Sequence, residues 1–218
     1  MPLRLVIGPL NYSSWSVRAW LALKYSALNF KPHIIDLFVD DAWKDKLLQF
    51  SGAGKVPVLV DGQLSVHETL AICEYIAELA PEAKLWPEER GARARARAIS
   101  SEMATGFPAV RAEMPMNGRA RALKPSVLSS AAKDEVARIT EIWSASLQTL
   151  GGPYLFENLS IADCMYFPVL SRFRTYGVEL NGDALEYSKT MWEHPIVKAW
   201  EKLAAQSVAI PKYDDLLG

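Results

Sequence analysis

The stretch Asn11-Tyr12-Ser13-Ser14-Trp15-Ser16-Val17-Arg18 sets adjacent hydroxyls between a short apolar run and an amphipathic one. Upstream, Leu3, Leu5, Val6 and Ile7 predict a strand that ends at Gly8-Pro9, two residues that break regular structure. Downstream, Val17, Trp20 and Leu21 recur at helical spacing, and Ala27 and Leu28 continue the pattern. A first helix therefore begins near Ser13 or Ser14, either of which suits an N-cap. A helix start offers unpaired N–H groups and the positive end of a macrodipole, so it favours an anion. A serine there also needs no function beyond the cap, and both readings stand on the local sequence alone.

Working outward, His33 to Leu37 reads as a second strand after Pro32, Trp43 to Phe50 as a short helix, and Ser51 to Lys55 as a loop. Val56 to Val60 reads as a third strand, with Pro57 confined to its start or to an edge because it has no N–H to donate. Asp61-Gly62 signals a hairpin into Leu64 and Val66, and a helix from Glu68 to Leu79 carries Ile72, Ile76 and Leu79 on its inner face. Residues 1–80 thus read as a βαβαββα layer, and residues 81–88, with Pro81 and Leu85-Trp86-Pro87-Glu88, as a linker. Residues 89–218 read as an all-helical domain, with helices at about 88–118, 127–150, 160–176 and 194–206. Pro108 is expected to kink or interrupt the first of them.

The 24 basic and 25 acidic side chains give a net charge of -1, which leaves no global field to attract nucleic acid or an anionic membrane. Arg90, Arg93, Arg95 and Arg97 spread around a helix without interleaved aromatics, so they read as a solvated face or a charged dimer seam. There is no signal-peptide pattern and no apolar run approaching the roughly 18 residues that span a bilayer. The expectation is a soluble, cytoplasmic protein without membrane contact. Cys73 and Cys164 and the three histidines His33, His67 and His194 are scattered, so no metal site is expected.

This element order resembles the glutathione S-transferase family, with an N-terminal thioredoxin-like domain followed by a helical bundle. Four local matches carry the resemblance: Ser14-Trp15-Ser16-Val17-Arg18, similar to the Ser-x-x-x-Arg pattern of serine-type members; Lys55-Val56-Pro57, similar to the cis-proline loop; Glu68-Thr69-Leu70-Ala71-Ile72, similar to the Glu-Ser-x-Ala-Ile motif; and Ser160-Ile161-Ala162-Asp163, similar to the capping box of the buried helix in the helical domain. Some features are zeta- and theta-like. Ser13-Ser14-Trp15 is similar to the zeta-class Ser-Ser-Cys, but Trp15 stands where the cysteine would be.

The resemblance implies glutathione as co-substrate, a small hydrophobic electrophile as partner, no metal, and a homodimer. A serine hydroxyl would stabilise the thiolate as a donor. Its spacing to Arg18 puts Ser14 first, with Ser13 and then Tyr12 as alternatives. Arg18 itself is expected to pair with an acidic neighbour and brace the helix. Val56 would offer its backbone to the cysteinyl residue, Pro57 would hold that geometry as a cis peptide, and Lys55 would reach the glycyl carboxylate. Glu68 would meet the γ-glutamyl ammonium and Thr69 its carboxylate. Tyr12 and Trp15 would border the glutathione, and Met103, Phe107 and Trp15 would wall the electrophile pocket. The implied activity is conjugation; a glutathione-dependent isomerase or dehalogenase, or a non-catalytic binding protein of the same fold, are the alternatives.

Overall fold

Residues 2–37, 42–121 and 127–215 are described in a computed structural model. The first strand, β1 (Leu3–Ile7), has Leu5, Val6 and Ile7 with no exposed surface, which marks it as an inner strand covered on both faces. It pairs in parallel with β2 (Phe30–Ile34) and antiparallel with β3 (Val58–Asp61), which turns at Gly62 into antiparallel β4 (Leu64–His67). The sheet order is β2-β1-β3-β4. One face packs on α1 (Ser14–Ser26) and α3 (Thr69–Leu79), and the other puts Val6 with Ile35, Val58 and Leu47, the last from α2 (Trp43–Leu48).

Two expectations for this domain change. β2 lies at Phe30–Ile34 rather than at His33 to Leu37, so Pro32 sits within the strand, opposite Leu5. This is allowed because β2 is an edge and a proline lacking its N–H costs no ladder bond there. In α3 the inner face is Ile72, Cys73 and Ile76, whereas Leu79 is 39% exposed at the last turn.

The helical part holds α4 (Arg90–Thr105), α5 (Pro108–Glu113), α6 (Ser130–Leu150), α7 (Ile161–Tyr176), α8 (Gly182–Glu193), α9 (Pro195–Ala205) and α10 (Pro211–Asp214). The single helix expected over residues 88–118 is broken at Phe107, whose φ of 59° reverses the chain, and Pro108 opens α5. The Glu135 carboxylate then accepts the Ala109 and Val110 N–H groups at 3.1 and 2.7 Å, capping α5 from outside. Helix α8 escaped the sequence reading because only Ala184, Tyr187 and Met191 are buried on it, a stripe too narrow to stand out. Helix α7 is the axis of the second domain and packs directly on α1, which makes the contact between the two layers one continuous core. None of the described helices is long and apolar enough to cross a membrane.

Candidate active site

The chain leaves β1 at Gly8-Pro9 and re-enters regular structure at Ser13, the N-cap of α1. Gly8 keeps this bend close: a Cβ there would stand 2.6 Å from Leu37 Cδ1 and 3.2 Å from Ser13 Cβ, so the Leu37 side chain would have to move. Ser13 Oγ accepts the Ser16 N–H at 3.4 Å and lies 2.7 Å from Ser16 Oγ, which in turn accepts the Gly8 N–H at 3.0 Å. Ser14, one residue on, is buried, and its hydroxyl oxygen accepts from Arg172 Nη2 at 3.4 Å.

Two adjoining clefts open over this helix start. The smaller, about 160 Å³, is lined by Trp15, Ala53, Lys55, Val56, Pro57, His67, Glu68 and Thr69. Val56-Pro57 is a cis peptide. Glu68 has a φ of 67°, a left-handed conformation that costs a non-glycine residue about 1 kcal/mol or more and that gathers at ligand clamps. It delivers the chain to the N-terminus of α3, where Thr69 is buried and its hydroxyl donates to the Trp15 carbonyl at 3.5 Å. The larger cleft, about 370 Å³, shares Trp15, Lys55 and Val56 with the smaller and adds Tyr12, Ser13 and Ser14 at its floor. Its walls are Leu37, Trp43, Leu47, Pro115, Met116, Ile210 and Tyr213, with Arg111 and Arg172 among them.

Among the described residues, few carboxylates answer the cations at this site. Arg18 is fully buried; its Nε donates to the Met165 carbonyl at 2.8 Å, and its guanidinium lies 4.5 Å from the Trp15 ring. Arg111 stacks 4.8 Å from the same ring and donates to the Gly106, Met103 and Ala104 carbonyls, closing the C-terminus of α4. Arg172 donates to the Met114 and Pro168 carbonyls. Burial and then the nearby Arg111 charge bring the Arg172 pKa down to about 10, and burial with Arg172 and Arg111 lowers Arg18 well below its usual value. These groups are held by carbonyl oxygens and an indole face, so the helix start sits in a positive field.

Two family models match: the glutathione S-transferase N-terminal domain over residues 12–79 and the C-terminal domain over residues 92–205. The chain belongs to the glutathione S-transferase family. It is 45% identical over 95 residues, 43% of its length, to a probable maleylacetoacetate isomerase of Caenorhabditis elegans, and 35% identical over 85 residues, 39% of its length, to glutathione S-transferase 1 of Dianthus caryophyllus. Those alignments span only 42% and 38% of the two relatives. A glutathione transferase homologue from Sulfitobacter, solved with bound glutathione, superposes with a TM-score of 0.66 at 25% identity, covering 92% of this chain and 97% of that one.

Within this family member, the structure brings Ser13, Ser14, Trp15, Lys55, Val56, Pro57, Glu68 and Thr69 around the two clefts. It does not bring Met103 and Phe107 there: Met103 has no exposed surface and Phe107 is buried between α4 and α5, so both belong to the hydrophobic core. Arg18 has no acidic partner among the described residues, contrary to expectation. Arg111, Arg172, Ile210 and Tyr213 were not foreseen. Arg172, set between the apolar Phe167-Pro168-Val169-Leu170 and Phe173, was the available signal for one of them.

Tyr12 lines the cleft, but its hydroxyl is committed. It donates to Asp214, 2.8 and 2.9 Å from the two carboxylate oxygens, and accepts from Arg119 Nη2 at 2.7 Å and from the Ile210 N–H at 3.2 Å. Its ring stacks on Tyr213 at 5.4 Å. Burial, followed by the bond to Asp214, raises the Tyr12 pKa. Asp214 also accepts from Asn117, Arg119 and the Ile210 N–H, which ties the α10 segment across the cleft as its outer wall. Asp214→Ala is expected to free this segment, raising its cleavage rate in limited proteolysis about fivefold, as loss of roughly 1 kcal/mol of local stability requires.

Proposed function

We propose that this chain is a glutathione transferase in which Ser13, at the start of α1, donates a hydrogen bond to the glutathione thiolate. The observation that carries the reading is the sharing of Trp15, Lys55 and Val56 by two clefts that meet over one helix N-terminus. The smaller cleft suits the tripeptide. Glu68 would pair with the γ-glutamyl ammonium, the N-terminus of α3 and the Thr69 hydroxyl with its carboxylate, the Val56 backbone with the cysteinyl residue, and Lys55 with the glycyl carboxylate. The sulfur then falls at the junction, above Ser13 and Ser14.

A free thiol titrates near pH 8.5, and lowering this by about two units takes about 2.7 kcal/mol. A hydroxyl bond to the charged sulfur supplies roughly 1.5–3 kcal/mol and a helix N-terminus roughly 0.3–1 more. No general base is required. Both serines line the larger cleft, and Ser13 is preferred because it is only half-buried, whereas Ser14 is buried and its oxygen already accepts from Arg172. Tyr12 is excluded as donor by its bond to Asp214.

The larger cleft would hold the electrophile. Its walls are mostly apolar, and Arg111 and Arg172 add two cations, so the favoured substrate has an apolar body and an anionic group. Wild-type enzyme is expected to prefer a carboxylated electrophile over its neutral analogue by about tenfold in kcat/KM, the weight of one charge-assisted hydrogen bond. The same cations favour a second reading, isomerisation of a carboxylated conjugated alkene, in which the thiolate adds, the single bond rotates and the thiolate leaves. Retention on immobilised glutathione, combined with an aryl-halide conjugation assay and an isomerisation assay, separates these. Conjugation consumes glutathione and isomerisation regenerates it; absence of retention sinks both and leaves a non-catalytic fold member. A homodimer, read by size-exclusion chromatography with light scattering, belongs to the same proposal.

A further inference from the structure

The Ser16 hydroxyl satisfies the Gly8 N–H at the bend, but the hydrogen it carries has no part in the site described so far. Ser16 is fully buried in the first turn of α1, faces no cleft, and is no cap. Its oxygen accepts the Gly8 N–H at 3.0 Å and lies 2.7 Å from Ser13 Oγ, a contact in which either hydroxyl can donate; with an anion in the cleft to take the Ser13 hydrogen, the buried Ser16 hydroxyl donates to Ser13 Oγ. Ser13 Oγ also accepts the Ser16 N–H. Both lone pairs of Ser13 are thereby occupied, and its hydrogen is the one polar atom of the group left over, on the side that opens to the cleft.

We propose that Ser16 is a positioning residue for the thiolate: it fixes Ser13 as a donor toward the cleft through the chain Gly8 N–H to Ser16 O–H to Ser13 O–H. The inference rests on the reading of Ser13 as thiolate donor and adds a residue to it. An isolated N-cap hydroxyl rotates and exchanges its hydrogen among neighbours; one whose acceptor sites are filled from behind presents its hydrogen forward at no cost when the anion forms. Each donor in such a chain also strengthens the next. The charges that face the same end of the cleft, Arg111 from α5, Arg172 from α7 and Lys55 from the loop before β3, touch neither Ser16 nor its partners and are common to every variant below.

The test is titration of the thiolate of bound glutathione by its ultraviolet absorbance in wild type, Ser16→Ala, Ser16→Thr, Ser13→Ala and Ser13→Ala/Ser16→Ala, with melting temperatures taken alongside. Ser16→Ala is expected to move the thiolate titration up by about half a unit, lowering thiolate occupancy about twofold at about pH 6.5 while KM for glutathione stays within about twofold. Ser16→Thr, which keeps the hydroxyl, should restore most of the shift. In the Ser13→Ala background, removing Ser16 should shift nothing further. A structural role alone would lower the melting temperature of Ser16→Ala without moving the titration, and that result overturns the proposal. So does an equal shift with and without Ser13. If Ser13→Ala itself leaves the titration unchanged, the donor reading falls first, which separates the two failures.

Discussion

Ser13→Ala is expected to lower kcat/KM for conjugation about 10- to 100-fold at about pH 6.5, the equivalent of the roughly 1.5–3 kcal/mol carried by a hydrogen bond to a charged group. The loss should shrink as pH rises toward the titration of free glutathione, because above it the thiolate exists without help. This pH signature distinguishes lost activation from lost binding, which would persist at all pH values. The variant also loses the N-cap of α1, at about 1 kcal/mol, so the melting temperature is expected to fall slightly and the comparison belongs well below it. Ser14→Ala should cost no more than about threefold, since the one bond its oxygen accepts, from Arg172 Nη2, is long at 3.4 Å. A larger effect at Ser14 than at Ser13 would reverse the assignment and return it to the residue that spacing to Arg18 favours.

The different placement of the two serines, Ser13 as the cap and Ser14 buried, marks what the linear chain can carry. Spacing locates a helix start to within one residue, but which of two adjacent serines caps and which turns inward depends on the bend at Gly8 and on what α7 presents from 158 residues away. Patterns of short range were legible: the apolar run of β1, the Asp61-Gly62 turn, the Ser160-Asp163 box and the proline at the head of α5 each act on immediate neighbours. The misplaced β2 is a case of a local rule overridden by position, because a proline that would end an inner strand is harmless on an edge. The electrophile walls were the least legible part. Methionine and phenylalanine suit a core and a pocket equally, and Met103 and Phe107 went to the core, while the walls came from segments as distant as Leu37, Arg111 and Tyr213.

Asp163→Ala is expected to lower the melting temperature by about 6–12 °C, corresponding to about 3 kcal/mol in a chain of this size. The reason lies in where α7 runs. Apart from Arg174, every residue of this helix is buried, so its N-terminal amides have no solvent to turn to. Asp163 answers for two segments at once: Oδ2 accepts the Ser160 N–H at 2.8 Å and the Ser160 hydroxyl at 3.0 Å, and Oδ1 accepts the Leu155 N–H at 3.0 Å. Alanine leaves two buried N–H groups without acceptors, at roughly 1–3 kcal/mol each. Burial raises the carboxyl pKa to about 6, against which the bonds from Leu155 and Ser160 pull only partly. The folded state therefore binds this proton more tightly than the unfolded chain does, so the wild type loses stability as pH rises from about 3.8 to about 6 and is level above it. The alanine variant lacks this slope, and the gap between the two should be widest on the acid side. Turnover per folded molecule should be unchanged, because Asp163 lines neither cleft. A large loss of turnover at an unaltered melting temperature would instead place this carboxylate in the chemistry.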